Sequence, residues 1–237
     1  MALIRIVYLF FYLCFSLVFS IPTLRKIKKS VTLNEEEKSQ SAHKYAKAWA
    51  KRVIDNTGST ITVIGEEHLP EGAVLFVSNH EGNFDIPTLM GYIPKPFGFI
   101  SKVEVKKVPL IRDWMEVLDC VFIDRKDRRQ SVKALRQGSQ LLNSGRSMVI
   151  FPEGTRSKGG QIGEFKAGGT RLAKDANVPI VPIVIKGTAD IYENGPKGLK
   201  PSQITIEILP PFSKEKVVET DSKVILSEIR EAMIQAL

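Results

Sequence analysis

Cysteine and histidine are scarce in this chain of 237 residues, which contains two cysteines and three histidines. Cys14 and Cys120 both lie in apolar surroundings, and the sequence has no C-x-x-C pair and no Cys/His cluster. This pattern disfavours a disulfide framework and a zinc site, and we predict no bound metal. The low cysteine count favours a reducing compartment.

Three glycine signatures are also missing from the chain. It has neither the G-x-x-x-x-G-K-[ST] loop nor the G-x-G-x-x-G loop of nucleotide-binding proteins. It also lacks the G-x-S-x-G turn that presents a serine nucleophile in many hydrolases. Nucleotide-loop chemistry and serine-elbow chemistry are therefore disfavoured.

Positive charge is unevenly distributed along the chain, whose net charge is +8. Residues 1–57 hold ten Lys or Arg against four Asp or Glu, whereas the remaining 180 residues hold 24 against 22. A nucleic-acid-binding protein usually carries its basic face on the folded domain. A basic appendage beside apolar residues points to anionic lipid instead, so we predict membrane lipids and no nucleic acid as partners.

Residues 6–22 form an apolar run. Apart from its tyrosines and one cysteine, its polar side chains are Ser16 and Ser20. As a helix, roughly 17 residues reach about 25 Å, which is marginal for a hydrocarbon core about 30 Å thick. The basic residues that follow predict the cytoplasmic face of the cell membrane, with a monotopic or single-pass arrangement. They are Arg25, Lys26, Lys28 and Lys29. A cleaved signal peptide, cut near residues 18–20, is the alternative.

A second helix is predicted where apolar residues recur with helical spacing between residues 42 and 54. This face consists of Ala42, Tyr45, Ala46, Trp49, Ala50, Val53 and Ile54. A basic amphipathic helix suits a membrane interface, although it can also pack on the protein's own core. The preceding apolar run favours lipid contact, so we predict that residues 1–57 form a two-helix membrane-associating segment.

Residues 58–237 alternate short apolar runs with helical patterns. Strands are predicted at 60–64, 73–78, 97–101, 119–123, 147–151, 179–185 and 204–209, and helices at 128–144, 164–176 and 222–236. This alternation predicts an α/β domain with a mixed, largely parallel sheet flanked by helices.

His80 and Asp85 are the most informative residues of the chain. They belong to the segment S-N-H-E-G-N-F-D, directly after the apolar run 73–77. On a continuous helix they would point about 140° apart, so they meet only if the chain turns at residues 81–83. Asp85 would then orient one imidazole nitrogen and leave the other free to act as a general base. Alternatively, Asp85 caps a helix and His80 is an unrelated loop residue.

Basic side chains follow two other predicted strands. Arg125 comes after residues 119–123, and Lys102 comes after residues 97–101. A guanidinium group at the carboxyl end of a strand suits a phosphate. Lys102 either adds positive charge to the same place or faces solvent.

The segment F-P-E-G-T-R-S, residues 151–157, follows a further predicted strand. Its proline and glycine predict a fixed turn. Glu153 can accept a hydrogen bond from a substrate hydroxyl or from the turn's own amides. Arg156 can bind phosphate or pair with Glu153.

Four segments, in this order, resemble the sequence blocks of the glycerolipid acyltransferases, and most of all the bacterial 1-acylglycerol-3-phosphate acyltransferases. They are N-H-x4-D at 79–85, F-I-D-R at 122–125, F-P-E-G-T-R at 151–156 and V-P-I at 181–183. The resemblance implies transfer of a fatty acyl group from acyl-CoA or acyl-carrier protein to the sn-2 hydroxyl of 1-acylglycerol-3-phosphate. The product would be phosphatidic acid.

The resemblance also implies roles for individual residues. His80 would deprotonate the acceptor hydroxyl, and Asp85 would orient His80. The acceptor's phosphate and glycerol would be held by Lys102, Arg125, Glu153, Gly154, Thr155 and Arg156. No metal and no cofactor beyond the thioester co-substrate would be required. Independently of the resemblance, the apolar run 178–185 predicts a central strand, one side of which lines an acyl groove.

The chain departs from the family pattern in two places. Gly82 or Asn83 stands where the family often has serine, and Leu110 follows the K-V-P segment 107–109, where the family often has glycine. These departures leave acceptor and donor preference open. Three alternatives are considered. In the first, the acceptor is glycerol-3-phosphate or another lysolipid. In the second, the chain is a non-catalytic lipid-binding module. In the third, Ser78 is the nucleophile of a hydrolase.

Overall fold

The computed structural model describes residues 2–166, 168–194 and 198–237. These residues form one seven-stranded sheet in the order β1-β7-β6-β2-β5-β3-β4. The strands are β1 Thr60–Ile64, β2 Leu75–Ser78, β3 Phe97–Lys102, β4 Val121–Ile123, β5 Ser147–Ile150, β6 Ile180–Lys186 and β7 Gln203–Ile208. Strands β6, β2, β5, β3 and β4 run parallel to one another, whereas β7 is antiparallel to β6 and pairs in parallel with β1. The predicted mixed, largely parallel α/β sheet is confirmed.

The helices of the described residues surround this sheet. They are α1 Ala2–Phe19, α2 Ile21–Lys29, α3 Glu35–Asp55, α4 Asp85–Tyr92, α5 Pro109–Val117, α6 Arg128–Asn143, α7 Gly168–Ala176, α8 Lys214–Glu219 and α9 Ser222–Gln235. Short 3₁₀ turns lie at Glu66–His68, Val103–Lys107 and Ala189–Ile191. Each strand and each helix predicted from the α/β part of the sequence is present, with boundaries shifted by a few residues.

Strand β2 shows why the central strands are apolar throughout. All four of its residues are buried, and successive side chains enter opposite layers of the core. Phe76 packs in the layer that includes α3 and α4, whereas Leu75 and Val77 pack in the layer that includes α7 and α9. A strand covered by helices on both faces has no solvent side, so polar alternation disappears. Strand β6 is buried in the same way from Ile180 to Ile185. The two cavities described below are lined by other residues, so they do not support the predicted acyl groove along this strand.

The apolar face of α3 packs on the protein and not on lipid. Ala42 and Ala50 are fully buried, and a side-chain carbon added at Gly91 of α4 would lie 3.2 Å from the backbone nitrogen of Lys51. Small residues on both helices allow this close approach. The sequence-based expectation of lipid contact for this face is therefore wrong, because an amphipathic pattern does not reveal what covers its apolar side.

Residues 1–57 hold three helices instead of the predicted two. Helix α1 ends at Phe19 and α2 begins at Ile21, with Ser20 buried at the break. Leu24 and Ile27 of α2 are buried in the same core layer as α3. By length and composition, the segment Ile4–Lys29 is the one described helical stretch apolar enough to cross a membrane, and 11% of its most apolar window is buried. This makes it a weak candidate for membrane association.

The packing of α3 predicts how the protein responds to added volume. We expect Ala50→Leu to lower the free energy of unfolding by about 1–3 kcal/mol, because the tight α3–α4 contact has no room for the new side chain. Ala48, which is exposed on the same helix, supplies the matched control. Ala48→Leu should change the free energy by less than about 0.5 kcal/mol. Denaturant unfolding of both variants in mild detergent measures the difference, and equal stability would contradict the packing.

Candidate active site

The parallel strands bring the polar segments to one edge of the sheet. His80 follows β2, Phe151 follows β5, and Lys102 ends β3. Arg125 follows β4, and Thr188 follows β6. Because the carboxyl ends of parallel strands lie at the same edge, segments distant in the sequence meet there. The candidate site is this edge.

The predicted turn between His80 and Asp85 is present. The chain bends at Gly82, α4 begins at Asp85, and Nδ1 of His80 lies 2.5 Å from Oδ2 of Asp85. The amide of Gly82 donates to the same carboxylate oxygen at 3.0 Å. Asp85 is fully buried, whereas the His80 side chain is 21% exposed and stacks on Phe151 with ring centroids 4.3 Å apart. The pair therefore presents Nε2 of His80 toward open space, with no hydrogen bond to it from the described residues.

The other two histidines are used differently. Nε2 of His43 lies 2.8 Å from the carbonyl oxygen of Phe97, and Nδ1 of His68 lies 2.7 Å from that of Ile208. Both rings thus bond to backbone carbonyls, which are fixed acceptors. Of the three histidines, His80 is the one whose ring faces the cavity described next.

A cavity of about 620 Å³ opens beside His80. Its polar rim includes Lys102, Arg125, Thr155, Arg156 and Lys166, and Gly154 also lines it. This volume suits a small-molecule site. The sequence predicts eight residues for the site, and six of them line this cavity. The other two, Asp85 and Glu153, are buried acids.

Glu153 is one of those two acids, and it faces the protein. It is 7% exposed. Its Oε1 accepts from the amide of His80 at 2.9 Å, and its Oε2 accepts from the amide of Gly163 at 3.0 Å. Both carboxylate oxygens are thus occupied by backbone amides, one of which belongs to the candidate base. The expectation that Glu153 contacts a substrate does not fit this geometry; Glu153 instead ties the 151–166 segment to His80.

Arg125 and Lys166 converge on Gly154. Arg125 donates from Nη1 to the carbonyl oxygen of Gly154. Gly154 has φ 75°, and a side-chain carbon there would lie 3.0 Å from both Nη1 of Arg125 and Nζ of Lys166. Glycine is therefore required both by the backbone conformation and by the space that the two cations occupy. Sequence reasoning missed Lys166, because it follows an irregular segment and no strand marks its position.

Arg156 is paired, but not with Glu153. Its Nη1 donates to Oδ1 of Asn83 and lies 3.3 Å from Oε1 of Glu193. Its side chain is 39% exposed, whereas that of Glu193 is 7% exposed. Because the guanidinium already has a carboxylate partner, it contributes less free positive charge to the cavity than Arg125 or Lys166.

Glu81 lies behind the histidine pair and is also buried, at 7% exposed. Burial raises the pKa of Glu81, and the neighbouring carboxylate of Asp85 raises it further, against opposing hydrogen bonds from the amide of Ala189 and from Thr188. Both effects disfavour a second negative charge next to Asp85.

A second cavity, of about 360 Å³, is almost entirely apolar. Helices α1, α3 and α5 supply much of its wall, with Leu17, Trp49 and Trp114 among the contributors. Ile86 and Phe99 line both this cavity and the one beside His80. The two spaces therefore share a wall of two side chains, and an apolar compartment lies next to the candidate base.

Comparison with known proteins assigns the chain to a family. The family model described as Acyltransferase matches residues 60–186, more than half of the chain. The chain belongs to the Acyltransferase family. The matched region of this acyltransferase contains His80, Asp85, Arg125 and the 151–156 segment.

Named relatives of this acyltransferase include three 1-acyl-sn-glycerol-3-phosphate acyltransferases. The probable enzyme of Mycoplasma pneumoniae is 40% identical over 152 residues, which are 62% of this chain and 56% of the relative. The chloroplastic enzyme of Arabidopsis thaliana is 36% identical over 81% of this chain and 54% of the relative. The probable enzyme of Mycoplasma genitalium is 32% identical over 76% of this chain and 71% of the relative. The chain thus spans little more than half the length of the first two relatives.

A solved structure supports the fold of this acyltransferase. The crystal structure of the 1-acyl-sn-glycerophosphate (LPA) acyltransferase PlsC from Thermotoga maritima superposes with a TM-score of 0.85. The match covers 98% of this chain and 93% of that chain, at 24% sequence identity. The agreement extends over the N-terminal helices as well as the sheet.

Proposed function

We propose that this acyltransferase transfers a fatty acyl group from an acyl thioester to the free hydroxyl of 1-acylglycerol-3-phosphate and forms phosphatidic acid. The observation that carries the proposal is the open Nε2 of His80, which faces a cavity rimmed by cations and bordered by an apolar compartment. The acceptor has three corresponding parts: a hydroxyl, a phosphate and an acyl chain. Family membership and the names of the relatives support the same reaction.

The proposed chemistry needs one base. Nε2 of His80 takes the hydroxyl proton while the alkoxide oxygen attacks the thioester carbonyl. The tetrahedral intermediate then expels the thiolate, which receives the proton from the imidazolium. Asp85 accepts from Nδ1 throughout, so it fixes the tautomer and stabilises the cationic ring. No acyl-enzyme is needed, because the thioester is already activated.

Ser78 does not offer the hydrolase alternative a nucleophile. It is fully buried, and its hydroxyl donates to the carbonyl oxygen of Asn79 at 3.1 Å. An acyl donor would therefore have to reach a hydroxyl inside the sheet. Direct attack by the acceptor hydroxyl is the simpler route.

The phosphate of the acceptor is proposed to bind between Arg125 and Lys166, with Lys102 close by on the rim. Arg125 offers further N–H groups in a planar fork, which suits two phosphate oxygens at once. Arg156 is proposed to contribute after its contact with Glu193 loosens, and Thr155 offers a hydroxyl to the same ligand. Glu153 acts through His80, whose amide it holds, and not by contact with the acceptor.

The acyl chains are proposed to use the apolar compartment behind Ile86 and Phe99. Its walls come from α1, α3 and α5, so residues 1–57 contribute to substrate binding as well as to any membrane contact. We propose that residues 1–57 meet lipid and that residues 58–237 carry the chemistry. The donor is acyl-CoA or acyl-carrier protein.

Helix α1 is proposed to rest in the membrane. One of its sides leaves aromatic and aliphatic side chains exposed, and these are Ile4, Val7, Tyr8, Phe10, Phe11, Phe15, Val18 and Phe19. Helix α2 differs, because Leu24 and Ile27 are buried in the protein and its lysines and arginine face outward. Lys28 pairs with Asp113 and Glu116 of α5, so Arg25, Lys26 and Lys29 are the basic residues that would meet anionic headgroups on the cytoplasmic face.

His80→Ala tests the proposed reaction. We expect it to lower kcat by at least about 10²-fold, because a positioned base contributes about 10²–10⁴-fold. Thiol release and phosphatidic acid formation should be measured together, with purified protein in mixed micelles, 1-acylglycerol-3-phosphate and acyl-CoA. Near-normal turnover in the folded variant would refute the mechanism. A panel with glycerol-3-phosphate and other lysolipids decides the acceptor.

Lys166→Met tests the phosphate site. We expect the KM for 1-acylglycerol-3-phosphate to rise about tenfold or more, because a hydrogen bond to a charged group contributes about 1.5–3 kcal/mol. The KM for the thioester should change less. Lys133→Met is the matched control, since Lys133 is exposed on α6 and does not line the cavity. Equal effects of the two substitutions would count against the site.

Cysteine labelling tests the membrane proposal. Cys14 is exposed on α1, whereas Cys120 is buried, and burial raises the pKa of the Cys120 thiol. A water-soluble maleimide should therefore label Cys14 in detergent-free buffer and leave Cys120 unmodified. Binding to vesicles that contain anionic lipid should slow the labelling of Cys14 about tenfold or more, because the thiolate is excluded from apolar surroundings. An unchanged rate on sedimented vesicles would contradict the insertion of α1.

A further inference from the structure

Thr188 lies beneath the His80–Asp85 turn, two residues beyond the end of β6, and it is fully buried. Its hydroxyl contacts Oδ1 of Asp85 and also lies 3.2 Å from Oε2 of Glu81. Its amide donates to the same oxygen of Glu81 at 3.0 Å. One hydroxyl group thus stands between two buried carboxyl groups.

A hydroxyl carries a single hydrogen, so Thr188 can donate to only one of the two acids. The closer of its two contacts is the one to Oδ1 of Asp85, so the hydrogen belongs to that bond. Oε2 of Glu81 instead accepts from the amide of Thr188 at 3.0 Å, and the amide of Ala189 lies 3.5 Å from the same oxygen. Glu81 thus holds the backbone of the segment that carries the Thr188 hydroxyl.

The surroundings leave Asp85 dependent on hydrogen bonds. No lysine or arginine of the described segments forms an ion pair with Asp85 or Glu81, and Lys102, Arg125 and Lys166 line the cavity that the ring of His80 faces. Burial, and then the carboxylate of Asp85, raise the pKa of Glu81, whereas the hydrogen bonds from Ala189 and Thr188 lower it. Asp85 is therefore compensated by the donors of its own turn and by the Thr188 hydroxyl.

We propose that Thr188 is a positioning residue for the His80–Asp85 pair, and that Glu81 keeps the Thr188 hydroxyl in place by accepting from the amide of Thr188. Thr188 donates to Oδ1 of Asp85 while Gly82 and His80 donate to Oδ2, so both oxygens of that carboxylate are held. Asp85 then keeps its orientation toward Nδ1 of His80. This inference rests on the acyl transfer proposed above, because the positioned group is the base of that reaction.

Thr188→Val tests the inference by removing the hydroxyl while keeping the shape of the side chain. We expect kcat to fall about 10–100-fold, the loss typical of a hydrogen bond to a buried charge. The KM values of both substrates should change little, because Thr188 does not line the cavity. Thr188→Ser retains the hydroxyl and should restore most of the lost kcat. Equal losses in the two variants would overturn the role of the hydroxyl.

Thr88→Val is the matched control. Thr88 is also fully buried, on α4, and its hydroxyl has no hydrogen-bond partner among the residues that the structure describes. Removing that hydroxyl should leave kcat unchanged and should not lower the melting temperature, because an unpaired buried hydroxyl is costly. A loss of kcat in Thr88→Val as large as in Thr188→Val would show that both effects come from disturbed packing, and it would overturn the inference.

A second pair of variants tests the role of Glu81. The side-chain oxygen of Gln can still accept from the amide of Thr188, whereas Ala cannot. We therefore expect Glu81→Gln to keep a kcat about tenfold or more above that of Glu81→Ala. Indistinguishable kcat values would overturn the proposed role of Glu81. This comparison remains decisive even if Thr188→Val does not fold.

Proton NMR separates this inference from the proposed function. The Nδ1 hydrogen of His80, in its short bond to Asp85, should give a low-field resonance that Thr188→Val shifts and Thr88→Val leaves in place. An unshifted resonance in Thr188→Val would overturn the inference. If the wild-type protein transfers no acyl group, the proposed function fails, while the resonance still reports whether Thr188 orients the pair.

Discussion

The buried carboxylate of Asp85 is the constraint on which the site depends. A charge without solvent must be compensated by hydrogen bonds, and Asp85 obtains them from Gly82, His80 and Thr188. Two of these donors belong to its own turn, and the third follows β6. The same hydrogen bonds therefore fix the conformation of the turn and compensate the buried charge. They place His80 after the end of β2 with its second nitrogen toward the cavity.

Parallel strand pairing then supplies the rest of the site. Strand β2 lies between β6 and β5, so the segments after these three strands are neighbours although they are far apart in the chain. Glu153 uses this proximity, because it joins the segment after β5 to the amide of His80. Arg125 reaches the same segment from the far edge strand through Gly154. Arg125 is thus positioned by a backbone contact, whereas Arg156 is held by the side chains of Asn83 and Glu193.

The sequence predicts the strands and helices of this structure better than the contacts between distant segments. The β2 and β6 strands are unbroken apolar runs, and the spacing of His80 and Asp85 leaves one local way for them to meet. Contacts that depend on distant segments are harder to predict. Nothing in the local pattern of α3 distinguishes a protein surface from lipid, and the charge of Arg156 does not reveal that Glu193 is its partner. Lys166 and Thr188 belong to none of the four sequence blocks. They reach the site because the segments that follow the parallel strands lie side by side at one edge of the sheet.

The break at Ser20 has a consequence for the proposed binding of amphiphilic substrates. Trp114 donates from its indole nitrogen to the hydroxyl of Ser20 at 2.7 Å, and Trp49 donates to Ser16 at 3.0 Å. Trp49 thus holds α1 at Ser16, and Trp114 holds the break that follows it, so both tryptophans of the chain bind this segment to the body of the protein. With α1 seated in a bilayer as proposed, these two hydrogen bonds would fix the height of Nε2 of His80 relative to the headgroup plane. Amphiphiles whose free hydroxyl sits at another height would then not reach the proposed base.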